Sequence, residues 1–278
     1  MTAPRVPRVT APFGARAVAI TERDEYGAYV VITCADPAGP WPQAGQFYML
    51  RSAQRWGGGE AERPFLPRAF SVLRAAEGGD GALELQFLLE DVGPGTNRLG
   101  ELGPGQALEL VGPLGNGFTA PRDGRRALLV GGGVGIAPLA VWQDQLESEA
   151  VVLLGFRDSA HAAGAGLLEA AQVATDDGSH GHHGLVTDLL DDELDAGGHA
   201  EVYACGPAPM LEAVRLLCAV REIPAQLALE SGMACGFGAC FGCVVETRSG
   251  YVRLCLDGPV LEAAQLGPEA LATPGMGH

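Results

Sequence analysis

Between residues 14 and 112, apolar and polar positions alternate in short runs interrupted by turn signals. Runs at 17–20, 28–33, 46–50, 70–73, 83–89 and 107–111 read as β-strands. Pro- and Gly-bearing stretches at 36–42 and 78–81 separate them, a spacing that predicts a small barrel or sandwich. Residues 55–63 (RWGGGEAER) read as a mobile loop inside it. The pattern changes after Pro121. Apolar strands at 127–130, 151–155, 201–204 and 226–229 now alternate with helical periods at 138–146 and 210–220. That alternation predicts a parallel, doubly wound α/β sheet. Residues 174–190 carry Asp, Gly and His and read as a loop leading into 186–190. A short Cys- and Gly-rich region closes the chain, so the expected division is 1–122, 123–230 and 231–278.

Composition alters this picture little. Apolar residues make up 47% and charged residues 19%, which is ordinary for a globular chain. Basic residues number 18, all Arg, against 34 acidic ones, for a net charge of −16. Phosphate backbones would be repelled, so nucleic acid is excluded as an expected partner. The longest uncharged run, 127–143, is broken by Gly and Pro and falls short of a bilayer span. The N-terminus has no apolar core of a secretory signal. Seven cysteines, four of them within 235–255, do not form an evenly paired disulfide framework. A metal-type cluster in a reducing cytosol is the expectation.

Those four read Cys235-x4-Cys240-x2-Cys243-x11-Cys255. The first three match the plant-type [2Fe–2S] spacing, which is followed by a distant fourth ligand. Gly236, Gly238 and Gly242 lie between them and let the backbone turn its N–H groups toward sulfur. A strand at 244–247, a turn at 248–250 and a return strand at 251–254 would bring Cys255 beside Cys243. Structural zinc is the rival reading, although zinc usually takes paired C-x2–4-C knuckles.

Two further constellations carry chemistry. Residues 131–139 (GGGVGIAPL) follow a strand and open a helix, an arrangement suited to phosphate. This is not the G-x-G-x-x-G fingerprint, and a tight ligand-free turn is the bland alternative. Cys205, Gly206 and Pro207 end a later strand of the same sheet, so both loops would line one crevice at the strands' carboxyl ends. In the barrel region, Arg68, Ala69, Phe70 and Ser71 offer a guanidinium for pyrophosphate and a hydroxyl for a ring nitrogen. The near-copy at 63–66 lacks the Ser and the apolar alternation that follows. Residues 92–97 (VGPGTN) supply small residues and a hydroxyl suited to phosphate.

In this order the motifs resemble the ferredoxin–NADP reductase superfamily, and more closely the electron-transfer subunits of NAD-linked (B type) dihydroorotate dehydrogenase. The run from Met233 to Cys243 and the ending Cys255-Leu256-Asp257-Gly258-Pro259-Val260 carry the closer resemblance, which covers nearly all of the chain after the first dozen residues. It implies a ferredoxin-reductase-like fold: an FAD-binding β-barrel at 1–122, an NAD-binding α/β domain at 123–230 and a [2Fe–2S] region at 231–278. Arg68, Ala69, Phe70 and Ser71 would bind FAD, Gly95 and Thr96 its pyrophosphate, and Leu88, Leu89 and Glu90 would lie along the flavin. Gly131, Gly132, Gly133, Gly135, Cys205, Gly206 and Pro207 would hold NAD. Cys235, Cys240, Cys243 and Cys255 would ligate the cluster. Ala69 departs from the Pro usual in the tetrapeptide, and Arg157, after the second α/β strand, has the reach for a 2′-phosphate.

NAD(H) exchanges two electrons as hydride, a [2Fe–2S] centre carries one, and a flavin handles both. A chain holding all three converts between them, and the cofactors, not protein acids or bases, carry the chemistry. By the resemblance, electrons come from an FMN-containing (β/α)8 dihydroorotate dehydrogenase catalytic subunit in a hetero-oligomer with two of each chain. They pass through the cluster and FAD to NAD+ in pyrimidine biosynthesis, in the cytoplasm and away from any membrane. The alternatives are an FAD/[2Fe–2S] NAD(P)H reductase subunit of a sulfide dehydrogenase or hydrogenase type, and a zinc-stapled nucleotide-binding module.

The remaining reactive residues read plainly. Met233, Phe237 and Phe241 should form an exposed apolar patch facing the partner. Cys34 and Cys218 read as buried small hydrophobes, and Cys205 as either a crevice residue or a packing one. His180, His182 and His183 read as a solvated loop. Asp191, Asp192, Glu193 and Asp195 read as a solvated face or helix start. Trp142 reads as core.

Overall fold

The computed structural model describes residues 14–57, 64–79, 81–268 and 270–271. Most of the loop expected at 55–63 lies outside the described residues. The first unit is an antiparallel sheet of β1 (Arg16–Tyr26), β2 (Tyr29–Ala35), β3 (Phe47–Ser52), β4 (Arg68–Ser71), β5 (Arg74–Glu77), β6 (Leu83–Glu90) and β7 (Ala107–Leu114), with helix α1 (Pro94–Gly100) after β6. The strand order is β4-β3-β7-β1-β2-β6-β5. The two edge strands are successive halves of one segment. β4 pairs with β3, and β5 pairs with β6. Between them Val72 N–H donates to Gln46 O at 3.4 Å and Leu73 N–H to Gln86 O at 2.9 Å. One segment thus bridges both edges and curls the sheet into the expected barrel. The run predicted as a single strand at 70–73 is in fact this crossing point. Inward-facing Ile32, Cys34, Tyr48, Leu50, Leu85, Phe87 and Leu110 fill the interior.

The second unit is a sheet of β8 (Arg126–Gly132), β9 (Val151–Phe156), β10 (Gln172–Thr175), β11 (His182–His183), β12 (Ala200–Cys205) and β13 (Ala225–Ala228). The helices are α2 (Ala137–Gln145), α3 (Ser159–Ala162), α4 (Val186–Asp195) and α5 (Ala208–Val220). The order β11-β10-β9-β8-β12-β13 is parallel throughout, as expected of a doubly wound sheet. Four elements, β10, β11, α3 and α4, escape the sequence pattern. β10 runs into the segment read as loop, β11 lies within it and α4 starts there; the two strands are only four and two residues long, and α4 mixes Leu with five acidic side chains. Asp191, Glu193 and Asp195 lie in the C-terminal half of α4, not at its start. There Arg221 pairs with Asp191 and Asp195, and Arg126 with Glu193. These arginines neutralise charge that the helix dipole disfavours at that end.

The last part comprises the hairpin β14 (Val244–Thr247) and β15 (Gly250–Arg253), the short helix α6 (Leu254–Asp257), and β16 (Val260–Glu262). β16 runs antiparallel beside β13 as the edge strand of the nucleotide-type sheet. Two cores cross the boundaries between units. Tyr29, Val31, Leu73 and Leu88 of the barrel pack with Ile136, Leu139 and Trp142, so Trp142 is core as expected. Phe47, Met49 and Leu114 pack with Cys243, Leu254 and Cys255.

One polar knot fastens the barrel exit to the second sheet. Glu201 on β12 is fully buried. Its carboxylate accepts Arg122 N–H at 2.9 Å, Arg122 Nη2 at 3.1 Å and Gln226 Nε2 at 3.0 Å. Arg122 also reaches Glu262 on β16 at 2.8 Å. Losing one partner of a buried pair strands the other's polar groups, and Arg122 is half exposed, which moderates the cost. Glu201→Ala is expected to cost about 2 kcal/mol and lower the apparent Tm by roughly 4–8 °C, read by thermal unfolding of the full chain.

Candidate functional site

The split of residues 68–77 between two edges leaves a seam in the barrel. β5 stops at the pair Arg74↔Gln86, so the outer edge of β6 beyond Gln86 faces the outer edge of β4. The two strands approach within 8 Å between Cα atoms, yet among the described residues they are not paired. Free backbone N–H and C=O groups on both lips must find partners, and a planar ligand with ring nitrogens and oxygens can supply them. The lips are the sequence-predicted residues Arg68, Ala69, Phe70 and Ser71 on β4 and Leu88, Leu89 and Glu90 on β6. Leu88 and Leu89 bury their side chains in the cores on opposite faces of the sheet, which leaves only their backbone for a ligand. Ala69 is exposed and Ser71 half-buried. The rival copy at 64–66 precedes β4 and belongs to no strand.

Arg68 and the loop at 92–97 come together at one end of this seam. A Cβ on Gly95 would lie 2.6 Å from Arg68 Nε, so the guanidinium rests directly on bare glycine backbone. Arg68 Nη1 donates to Leu66 O at 2.7 Å. Thr96 Oγ1 accepts the N–H groups of Val92 and Gly93, each at 3.0 Å, and donates to Gly93 O. The Thr96 hydroxyl therefore holds the turn that starts α1. The sequence pattern missed that helix, because it has seven residues, two of them Gly.

Across the unit boundary, the glycine loop after β8 meets the strand end of β12. A Cβ on Gly135 would lie 2.5 Å from Cys205 O, and one on Gly132 would lie 2.6 Å from Met210 Sδ and 2.9 Å from Pro207 Cδ. These glycines let the two loops touch. Gly131 packs over Leu154, Ile136 and Leu139. Among the glycines of this loop, Gly133 alone combines a left-handed φ of 55° with open space, and it starts the 3-10 turn that leads into α2. All seven predicted nucleotide-loop residues thus stand together at the carboxyl end of the sheet, where open α/β sheets bind ligands. Cys205 is buried, and burial pushes its thiol well above the ordinary range. Burial likewise pushes Cys34 and Cys218 up to about 12, and both lie buried in the cores as small hydrophobes.

Arg157 is already engaged. Its guanidinium pairs with Glu90 on β6 and with His161, whose ring stands edge-on to Tyr29 at 5.6 Å. The cation read as a candidate for a 2′-phosphate therefore joins the nucleotide-type sheet to one lip of the seam. His182 and His183 form the exposed outermost strand β11, and His182 faces Asp188 at 3.3 Å.

The four clustered cysteines come together through the expected hairpin. Thr247 pairs with Gly250 across a two-residue turn and Val244 with Arg253, so Leu254 N–H donates to Cys243 O at 3.0 Å. Cys255, in the first turn of α6, then lies with its Sγ 3.2 Å from Cys243 Sγ. The return strand ends at Arg253, one residue before the predicted limit, where α6 begins. Backbone N–H groups point at sulfur throughout. Those of Ala239 and Cys240 reach Cys235 Sγ at 3.3 and 3.4 Å, and that of Gly242 reaches Cys240 Sγ at 3.4 Å. Burial opposes ionisation of Cys235, but these N–H donors and the neighbouring Cys240 thiol bring it down to about 7. Cys255, more deeply enclosed and beside Cys243, is pushed up to about 12. The thiols arrive as two pairs, 235 with 240 and 243 with 255. Four thiols from this loop and hairpin are the donor set that a group of two iron atoms takes. Phe237, Phe241, Val244 and Tyr251 are exposed around this region, whereas Met233 is partly buried against the core. Of the three residues expected to be exposed, Phe237 and Phe241 are, and Met233 is not.

Comparison with known proteins adds three findings. Residues 230–267 match the iron-sulfur cluster binding domain of dihydroorotate dehydrogenase B. The electron transfer subunit of dihydroorotate dehydrogenase B (NAD(+)) from Geobacillus sp. (strain WCH70) is 38% identical over 73% of this chain and 80% of its own length. That of Caldanaerobacter subterraneus subsp. tengcongensis is 37% identical over 82% and 88%. Among solved structures, an NADH-dependent reduced ferredoxin–NADP oxidoreductase superposes with a TM-score of 0.75 at 24% identity, covering 94% of this chain and 93% of that one. A ferredoxin NADP+ reductase from Neisseria gonorrhoeae does so with a TM-score of 0.59 at 18% identity, over 80% and 95%. These superpositions establish the ferredoxin-reductase-like fold, and the sequence identities establish that the chain belongs to the family of electron transfer subunits of NAD(+)-dependent dihydroorotate dehydrogenase B.

Proposed function

We propose that this chain carries electrons from a dihydroorotate-oxidising catalytic subunit to NAD+, using a [2Fe–2S] cluster and FAD. The observation that carries the reading is the coexistence, in one tightly packed chain, of paired cysteine thiols, an unpaired barrel seam beside an Arg-on-Gly contact, and a glycine loop at a sheet switch point. When bound, the three cofactors together supply the exchange between single electrons and hydride. The protein binds and orients them. Cys235, Cys240, Cys243 and Cys255 hold the cluster, and the N–H groups of the 235–243 loop steady its sulfur charge. Arg68 and the backbone at Gly95 and Thr96 take the FAD pyrophosphate. Ala69, Phe70 and Ser71, with the backbone of Leu88, Leu89 and Glu90, line the flavin. Gly131, Gly132, Gly133 and Gly135, with Cys205, Gly206 and Pro207, hold NAD(H). The working units are 1–122, 123–230 and 231–278, with β16 lent back to the middle one.

The exposed Phe237, Phe241, Val244 and Tyr251 around the cysteines form the docking face for an FMN-containing catalytic subunit, in an assembly with two of each chain. Among the described residues, no helix is long and apolar enough to cross a membrane. The site of action proposed is the cytoplasm.

Two variants test this division of labour. Cys243→Ser is expected to lose bound iron and inorganic sulfide and all dihydroorotate-to-NAD+ transfer with the partner, while FAD content and NADH-driven reduction of ferricyanide persist. Equal loss of the ferricyanide activity with FAD still bound contradicts the scheme. Arg68→Ala removes a charge-assisted contact, so FAD retention on dialysis should weaken roughly 10- to 100-fold, with iron content unchanged.

A further inference from the structure

The cluster region is fastened to the barrel itself, on the face that carries the seam. Gly236, next to Cys235, has φ 76°, and a Cβ there would lie 2.5 Å from Met49 Cγ and 3.0 Å from both Met49 Sδ and Leu114 Cδ1. Met49 on β3 is only 3% exposed. Its backbone partner across β3 and β4 is Ala69, and residues directly opposite in an antiparallel pair project from the same face. Ala69 is exposed there. The order on this face is therefore Cys235–Gly236, then Met49, then Ala69 on one lip of the seam. A second clasp holds the other cysteine pair. Asn116 N–H donates to Gly258 O at 2.5 Å, and Asn116 Nδ2 donates to Leu256 O at 3.1 Å and Asp257 O at 2.9 Å. These contacts do not involve the glycine loop at 131–135.

We infer that Met49 is a positioning residue for electron transfer. It fills the space between the cluster loop and the flavin lip and fixes the gap that an electron crosses. The inference rests on the cofactor assignment made above. Transfer between redox groups weakens steeply with distance and is faster through packed atoms than across a void. Met49 supplies that packing with a flexible, polarisable thioether, and glycine at 236 permits the closest approach. In the direction convenient for measurement, NADH would supply two electrons as hydride to FAD held at the seam, and one of them would pass to the oxidised cluster while the other stays on the flavin. No bond of the polypeptide changes.

The test is anaerobic stopped-flow mixing of the full, cofactor-loaded chain with NADH, following flavin bleaching and cluster reduction separately. The variants are Met49→Leu, Met49→Val, Met49→Ala and Gly236→Ala, each assayed for flavin and iron. Flavin bleaching should stay within twofold of the unaltered chain in every variant. Cluster reduction should be nearly preserved in Met49→Leu, then slow progressively through Val to at least tenfold in Ala. Gly236→Ala, which wedges the loop off the barrel, should also slow it. A merely structural role for Met49 would change loading or both phases together. A flat cluster-reduction rate across the loaded variants, Val included, overturns the inference. If the unaltered chain takes up no iron or flavin, the cofactor assignment fails instead.

Discussion

At Val72 and Leu73 the chain leaves β3 and joins β6, and this change of partner governs the rest of the molecule. A strand that served only one edge would leave an open sheet with an aggregation-prone border. A strand paired along its whole length with both would close the barrel completely. The division at residue 72 closes the lower half and leaves the upper half as two facing backbone edges. The candidate cofactor residues of the barrel lie on those two edges or on the loop that follows them. The guanidinium of Arg68 and the bare backbone at Gly95 end the seam with positive charge in a chain of net charge −16.

Around that seam two apolar cores join the other units to the barrel. The core that joins Tyr29, Val31, Leu73 and Leu88 to Ile136, Leu139 and Trp142 resists hinge motion between the barrel and the nucleotide-type sheet. The core that joins Phe47, Met49 and Leu114 to Cys243, Leu254 and Cys255 does the same for the cysteine hairpin. Burying this much apolar surface at two internal boundaries makes large relative motion costly. An electron relay benefits from such rigidity, because fixed gaps between carriers give reproducible rates. An enzyme that must open for a bulky substrate would gain nothing from it.

Much of this was legible in the sequence where the chemistry is local. The cysteine spacing and the hairpin that returns Cys255 depend on residues within about twenty positions of one another. Cys243 and Cys255 meet as the spacing predicts. The glycine loop and Cys205 could be read because parallel strands present their ends on one side. What escaped depends on distant partners. Glu201 looks like a surface charge until Arg122 and Gln226 are brought to it. Arg157 looks free until Glu90 arrives from the barrel. The touching of Gly236 and Met49 has no signature in either segment, because a glycine among cysteines already has a local reason to be there. α1 and β10 were missed through shortness, and β16 because an antiparallel edge strand after Pro259 breaks the strand–helix rhythm.

The molecule holds a two-electron carrier and a one-electron carrier side by side in one polypeptide. The most direct measurement is metal, sulfide and flavin analysis of the anaerobically purified full chain, with its visible spectrum. The expected result is a brown-yellow protein with two iron, two inorganic sulfide and one FAD per chain. A colourless protein holding stoichiometric zinc, and refusing reconstitution with iron, sulfide and FAD, would contradict it.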